Sequence, residues 1–184
     1  MAHILMFGRL ARTPEINLVW FKRDLRLADH APLAEAIIES QQTNTPISLI
    51  YIFEPILIEN EHYSDRHWRF VWQSLQDMNK SLEKFYAHVD IFFGNPLAIL
   101  EKIQTKTPIK SIYSHEETGL DVTFRRDKDV ARWCKEFSIN WKEYQTGAVL
   151  RGIKDRKQWD YKWRKHMNTP LAQPNLDKLI FLNL

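Results

Sequence analysis

Short, nearly uninterrupted apolar runs alternate along this chain with stretches whose apolar residues recur every three or four positions. A change of period from strand-like to helical and back, repeated several times, is the pattern of βαβ units, in which parallel strands are joined by crossover helices. Five runs read as strands: Ile16 to Phe21, Ile47 to Phe53, Val89 to Phe93, Lys110 to Ser114 and Ile139 to Tyr144. Their scarcity of polar interruptions fits strands covered on both faces.

Four helices fall between them. Ala31 to Ser40 has Asp29 placed to cap it and Pro32 in its first turn. Arg66 to Tyr86 carries Trp68, Val71, Trp72, Leu75, Met78, Leu82 and Phe85 at helical spacing behind Ser64 or Asp65. Gly94 permits a turn before Pro96 opens a helix to Gln104, and Asp121 to Phe137 turns Val130, Trp133, Cys134 and Phe137 inward. Right-handed crossovers then place helices on both faces of a five-stranded parallel sheet.

At 184 residues the chain is long enough for one ordinary core. Its formal charge of +3, with both signs mixed along the sequence, gives no global case for nucleic acid. Cys134 is the only cysteine, which excludes an internal disulfide and a Cys-rich metal site and suits a reducing compartment, the cytoplasm by default. No apolar run approaches a membrane span. The first fifteen residues, "MAHILMFGRLARTPE", read as an N-terminal extension rather than a targeting segment.

Open parallel sheets bind ligands beyond the carboxyl ends of their strands, near the point where strand order reverses. The stretches there are Lys22 to Arg26, Glu54, Asn95 and His115 to Thr118. Charges directly after a buried strand stand at a rim, where a ligand, a second domain or local ion pairs satisfy them. Asp24 pairing with Arg23 or Arg26 is the plain structural alternative, and Glu117 or Thr118 starting the next helix is another. There is no Gly-rich dinucleotide fingerprint, no phosphate loop, no His-Glu-x-x-His pattern and no nucleophile elbow around any serine. The seven histidines show no ligand spacing, so no metal site is assigned and no catalytic constellation is visible.

Taken in order, several stretches resemble the N-terminal α/β domain of the DNA photolyases and cryptochromes. "LVWFKRDLRLADHAPLAEA" resembles that family's first strand, charged Arg-x-Asp-Leu-Arg turn and first helix. "YIFEP" is similar to the second strand and its exit, "RHWRFVWQSLQDMNKSL" to the long helix, and "FFGNPLAIL" to the third strand with its Gly-x-Pro. "YSHEETGLDVTFRRDKDVARWC" resembles the fourth strand and Arg-Asp helix, and "VLRGIKDRKQWDYKWRKHM" the beginning of the link onward. The resemblance runs from Ile16 to Met167 and implies a Rossmann-like sheet of order 3-2-1-4-5 over residues 16–147. Residues 148–184 are then the start of an interdomain linker, and the tail "LDKLIFLNL" awaits a packing partner.

The resemblance also implies a function. Family members repair cyclobutane pyrimidine dimers with light through FAD, held in a C-terminal helical domain that this chain does not contain. The N-terminal domain holds an antenna chromophore, a folate, deazaflavin or flavin-like compound, in the interdomain cleft. By position Arg23, Asp24, Glu54, His115 and Glu116 are its cofactor-binding residues here. Many relatives have an Asn after the aromatic residue of strand four, where this chain has Ser114, so the pigment stays open. The expected partners are the FAD-binding domain and, for the intact protein, damaged DNA; the chain alone is expected to be inactive. A light-signalling cryptochrome fragment and a stand-alone small-nucleotide-binding module are the alternatives. In the basic, aromatic segment Arg151 to His166, the spacing of Trp159 and Trp163 favours interdomain packing over nucleic-acid contact.

Overall fold

The computed structural model describes residues 14–147, 149–152 and 155–184. Five parallel strands, β1 (Ile16–Phe21), β2 (Ile47–Phe53), β3 (Val89–Phe93), β4 (Ile109–His115) and β5 (Asn140–Tyr144), form one sheet of order β3-β2-β1-β4-β5. This is the order the resemblance implied. The helices are α1 (Ala31–Thr43), α2 (Pro55–Ile58), α3 (Asp65–Leu82), α4 (Pro96–Lys106), α5 (Asp121–Glu136) and α6 (Trp159–Met167). Of the expected N-terminal arm, residues 1–13 lie outside the described residues.

Alternation along the strands sorts the core into two layers. Leu18, Trp20, Ile50, Ile52 and Ile112 pack with α4 and α5, through Leu100, Ile103, Val130 and Trp133. Val19, Phe21, Leu49, Tyr51 and Tyr113 pack on the other side with Leu33 and Ile37 of α1 and Leu75, Met78 and Leu82 of α3. Trp20 and Phe21, neighbours in sequence, are both buried yet belong to opposite layers. Each such side chain contributes about 1.5–3 kcal/mol by leaving water.

Four expectations need correction. Asp29 does not cap α1: its backbone is left-handed (φ 48), so its carboxylate leaves the helix axis, and the extended His30 accepts the N–H of Leu33 instead. The long helix stops at Leu82, passes through a 3-10 turn and is closed by Tyr86 at φ 54. Its first half overhangs the sheet, since 18 residues reach about 27 Å while the five-residue β3 reaches about 17 Å. The overhang extends past the carboxyl end of the sheet and leaves Phe70 and Trp72 exposed, and Phe137, expected inside, is exposed beyond the end of α5.

The fourth correction concerns the tail. Its apolar residues find their partner in the α/β unit itself. Ile47 donates its N–H to the carbonyl of Ile180 at 2.7 Å, and Leu182 donates back to the carbonyl of Ile47 at 3.0 Å. Phe181 thereby forms a parallel bridge with the first residue of β2, beyond the point where pairing with β3 begins at Leu49. The Ser48 hydroxyl donates to the Leu182 carbonyl at 2.7 Å.

Candidate functional site

The carboxyl ends of β1, β2 and β4 bring Lys22, Glu54 and His115 to one edge of the sheet, the point of reversal being between β1 and β4. Two polar assemblies form there. The first centres on Asp24, whose Oδ1 accepts the Lys22 backbone N–H at 2.8 Å. Its Oδ2 pairs with His30 Nε2 at 2.6 Å and with His115 Nδ1 in a shorter contact. Burial alone would push the Asp24 carboxyl up; the hydrogen bonds from His115 and His30 outweigh it and hold the group well below the usual carboxylate range.

Donor atoms of Asp24, His30 and His115 lie within 4.8 Å of one another, close enough for a metal on distance alone. The tautomer argues otherwise. His30 Nδ1 accepts from the Leu33 N–H at 3.1 Å, so the ring proton sits on Nε2 and is donated to Asp24. A metal would need the Nε2 lone pair and a proton on Nδ1, where a donor already stands.

The second assembly is built on α5. Arg126 bonds Glu54 in a short contact, Glu117 at 3.4 Å and its neighbour Asp127 at 2.8 Å. Burial opposes the charge on Arg126, but these three carboxylates more than compensate and strengthen its hold on the proton. Lys22 Nζ pairs with Asp127 at 3.1 Å and lies 4.7 Å from the ring centre of Trp20 and 5.2 Å from that of Trp141. Burial pushes its ammonium pKa down, with Asp127 pulling the other way. Burial likewise pushes the Glu54 carboxyl up against the pull of Arg126. Arg23 Nε stands 3.1 Å from Glu117 Oε1, in ion-pair range but not aligned for a hydrogen bond. Gly119 crosses just above it at φ 131, where a Cβ would come within 3.3 Å of the Arg23 guanidinium.

Beside these groups lies a cavity of about 620 Å³, between the ends of β1 and β2 and the overhanging start of α3. Tyr51, Tyr63, Trp68 and Phe70 supply its aromatic wall beside the buried Trp20 and Phe21, and Arg23, Asp24, Glu54, Arg66, Glu117 and Arg126 its polar part. Its size falls within the range of small-ligand sites, and flat aromatic walls with a few converging charges suit a planar conjugated heterocycle with a polar edge.

Of the five residues assigned from sequence, Arg23, Asp24 and Glu54 line this cavity. His115 is buried behind Asp24, and Glu116, half-buried, bonds its backbone N–H to the Tyr144 carbonyl; neither lines the cavity. Sequence alone does not single out Arg126 or Asp127, and it marks Glu117, within the rim stretch, only as an alternative start of the next helix. A signal for Asp127 existed: Thr123, Asp127, Val130 and Cys134 form the inward stripe of α5, and a carboxylate on such a stripe requires a buried partner. Arg126 adjoins it. Trp68 is placed by its spacing only on the apolar stripe of the long helix; that this helix outruns the sheet is visible only in three dimensions.

Comparison with known proteins agrees with this architecture. Cryptochrome DASH of Synechocystis sp. is 31% identical over 113 residues, covering 59% of this chain and 22% of that protein. The chain thus spans about a fifth of the length of such curated relatives. The crystal structure of the Synechocystis sp. cryptochrome superposes with a TM-score of 0.70 at 23% identity, covering 92% of this chain and 37% of that one. The archaeal photolyase from Sulfolobus tokodaii, solved with two FAD molecules, gives a TM-score of 0.65 at 24% identity over 82% of this chain and 35% of its own. The family model for DNA photolyase matches residues 17–173, from within β1 to beyond α6. Since that match takes in every strand and the polar edge they carry, the chain belongs to the photolyase and cryptochrome family.

Proposed function

We propose that this chain is the antenna side of a deoxyribodipyrimidine photolyase-like flavoprotein, and that the cavity between β1, β2 and α3 holds its light-harvesting chromophore. The observation that carries the reading is the cavity itself: aromatic walls and a charged edge at the site where an open parallel sheet takes its ligand. A folate, a deazaflavin or a flavin-like compound meets its shape and polarity. The chromophore supplies absorption of light. Tyr51, Tyr63 and Trp68 would cover and desolvate it, and Arg23, Glu54 and Arg126 would orient its polar edge. His115 acts through Asp24, and Glu116 contributes to the loop that follows β4.

In the intact protein a C-terminal helical domain then carries FAD, damaged DNA is the substrate, and the reaction is light-driven cleavage of cyclobutane pyrimidine dimers in the cytoplasm. Residues 148–184 form the start of the connection to that domain. A light-signalling cryptochrome is the second reading, supported by the names of the curated relatives. Repair of dimer-containing DNA by the full-length gene product under blue light distinguishes the two.

Titration of the purified chain with FAD, 5,10-methenyltetrahydrofolate and a 5-deazaflavin, followed by fluorescence polarisation, tests the antenna reading. Saturable binding of one of them, weakened at least tenfold by Trp68→Ala, is expected; no saturable binding of any of the three overturns it.

A further inference from the structure

The Asp24 assembly reaches beyond the sheet edge. In the extended segment between α6 and the tail, Ala172 accepts the backbone N–H of His30 at 2.8 Å and donates its own N–H to Asp29 Oδ1 at 3.1 Å. This pair of bonds exists because Asp29 is left-handed, which turns its carboxylate away from α1 and toward the segment. Arg26 supports the same turn, donating from Nε to the Asp29 carbonyl at 2.9 Å. The segment is therefore held by the two residues that open α1.

The His30 ring fixes that turn from inside and has no exposed surface. Nδ1 accepts from Leu33 and Nε2 donates to Asp24, while the ring stands 4.8 Å from Phe21 and 4.7 Å, edge-on, from His115. Asp24, His115 and Arg26 are the titratable or charged groups around it. Because a backbone N–H only donates, a second proton on the ring has one place to go, Nδ1, and there it would face the Leu33 N–H donor against donor. Protonation thus costs α1 its cap and forces the ring out of its seat. Burial disfavours the charged ring, and the Asp24 carboxylate opposes that only in part, so His30 titrates below its ordinary value of 6.5.

We propose that His30 is an acid-sensitive latch, which joins the segment around Ala172 to the α/β unit while neutral and releases it when Nδ1 takes up a proton. The trigger is the imidazole and not Asp24, whose carboxyl stays ionised far into acid. The sign follows from the lowered pKa: the holding contribution is complete above pH 6.5 and is lost as pH falls through the folded-state value. The element set free is this chain's own connecting segment beside α6, so acidification changes how that segment is held to the α/β unit. This holds whether or not the neighbouring cavity takes a chromophore.

Nuclear magnetic resonance of the whole chain tests the latch. Hydrogen exchange of the Ala172 and Leu33 amides, corrected for intrinsic rates, is measured from about pH 7.5 to about pH 5 together with the His30 ring nitrogens, a range that spans ordinary imidazole titration. The expected result is an opening equilibrium for both amides that rises up to about tenfold per pH unit as pH falls below the ordinary imidazole value of 6.5, while the amides of Leu18 and Val19 stay protected. His30→Asn keeps an acceptor for Leu33 without titrating, and its opening is expected to be flat with pH. Protonation of Nδ1 with Ala172 protection unchanged overturns the proposal, as does Ala172 opening only together with the core. Equal pH dependence in His30→Asn does the same, and if that variant fails to fold, the wild-type ring and amide signals alone decide.

Discussion

Arg126 on α5 and Glu54 at the end of β2, 72 residues apart in the chain, meet as a buried ion pair across the carboxyl edge of the sheet. Arg126 also serves Glu117 and Asp127, so its guanidinium is, among the described residues, the one cation shared by three buried acids, whereas Glu54 is one acid among three.

That asymmetry gives the first prediction. Arg126→Met leaves Glu54 without a cation in a low-dielectric site, while Lys22 still pairs with Asp127 and Arg23 with Glu117, and breaking a buried pair from one side costs about 3–5 kcal/mol. Glu54→Gln removes a carboxylate that burial already pushes toward its neutral form, and Arg126 keeps two other partners. Its expected cost is under about 1.5 kcal/mol, the net value of an ordinary hydrogen bond. Urea unfolding of both variants at neutral pH checks the order; equal losses would contradict it.

Asp24 supplies a pH-dependent prediction. Its folded-state carboxyl lies below the unfolded value of 3.8, so its contribution is complete above that pH and disappears as pH falls through the folded-state value. Asp24→Asn presents an amide that cannot accept both imidazole donors as the carboxylate does, with an expected loss of about 3–5 kcal/mol at neutral pH for breaking a buried charged network. In acid the gap between wild type and variant should narrow, because the wild-type carboxyl itself becomes protonated. Denaturant midpoints at a series of pH values decide it, and a gap constant down to strongly acid pH would refute the assignment.

The sheet was legible because strands covered on both faces leave continuous apolar runs, and Ile16–Phe21 and Ile47–Phe53 have the bounds read from the sequence. The polar edge was legible in part for the same reason: Lys22, Arg23, Asp24 and Glu54 follow buried strands directly. The groups that complete it, Arg126 and Asp127, sit on a helix whose charges look solvated until the fold turns one face inward. The cap of α1 was misread because Asp29 is the better capping residue in isolation, yet a backbone sign at one position hands the role to His30. Nothing in the composition of "LDKLIFLNL" says that it returns to Ile47; that contact is made over more than 130 residues of chain.

Cys134 should behave as a core residue and not as a reactive thiol. It is buried among α4, α5 and the sheet, and burial pushes its pKa up to about 12. The thiolate is the nucleophile, so iodoacetamide at neutral pH should label the native chain only at the rate of its opening and the urea-unfolded chain readily. Mass spectrometry of the labelled protein reads the difference, and rapid native labelling would place the thiol outside the core.

The tail should contribute to stability although it follows the last strand of the sheet. Leu176, Leu179 and Phe181 pack against the layer formed by α1 and α3, and the backbone of Ile180 and Leu182 satisfies both the N–H and the carbonyl of Ile47. Removing residues 176–184 uncovers apolar side chains and leaves those backbone groups and the Ser48 hydroxyl to water, a change expected to cost about 2–4 kcal/mol. Ser48→Ala, which removes only the bond to the Leu182 carbonyl, should cost about 1 kcal/mol. Urea unfolding of the two variants separates burial from hydrogen bonding. A shortened chain within about 0.5 kcal/mol of the full one, the scatter of ordinary surface changes, would mean the tail merely rests on the sheet.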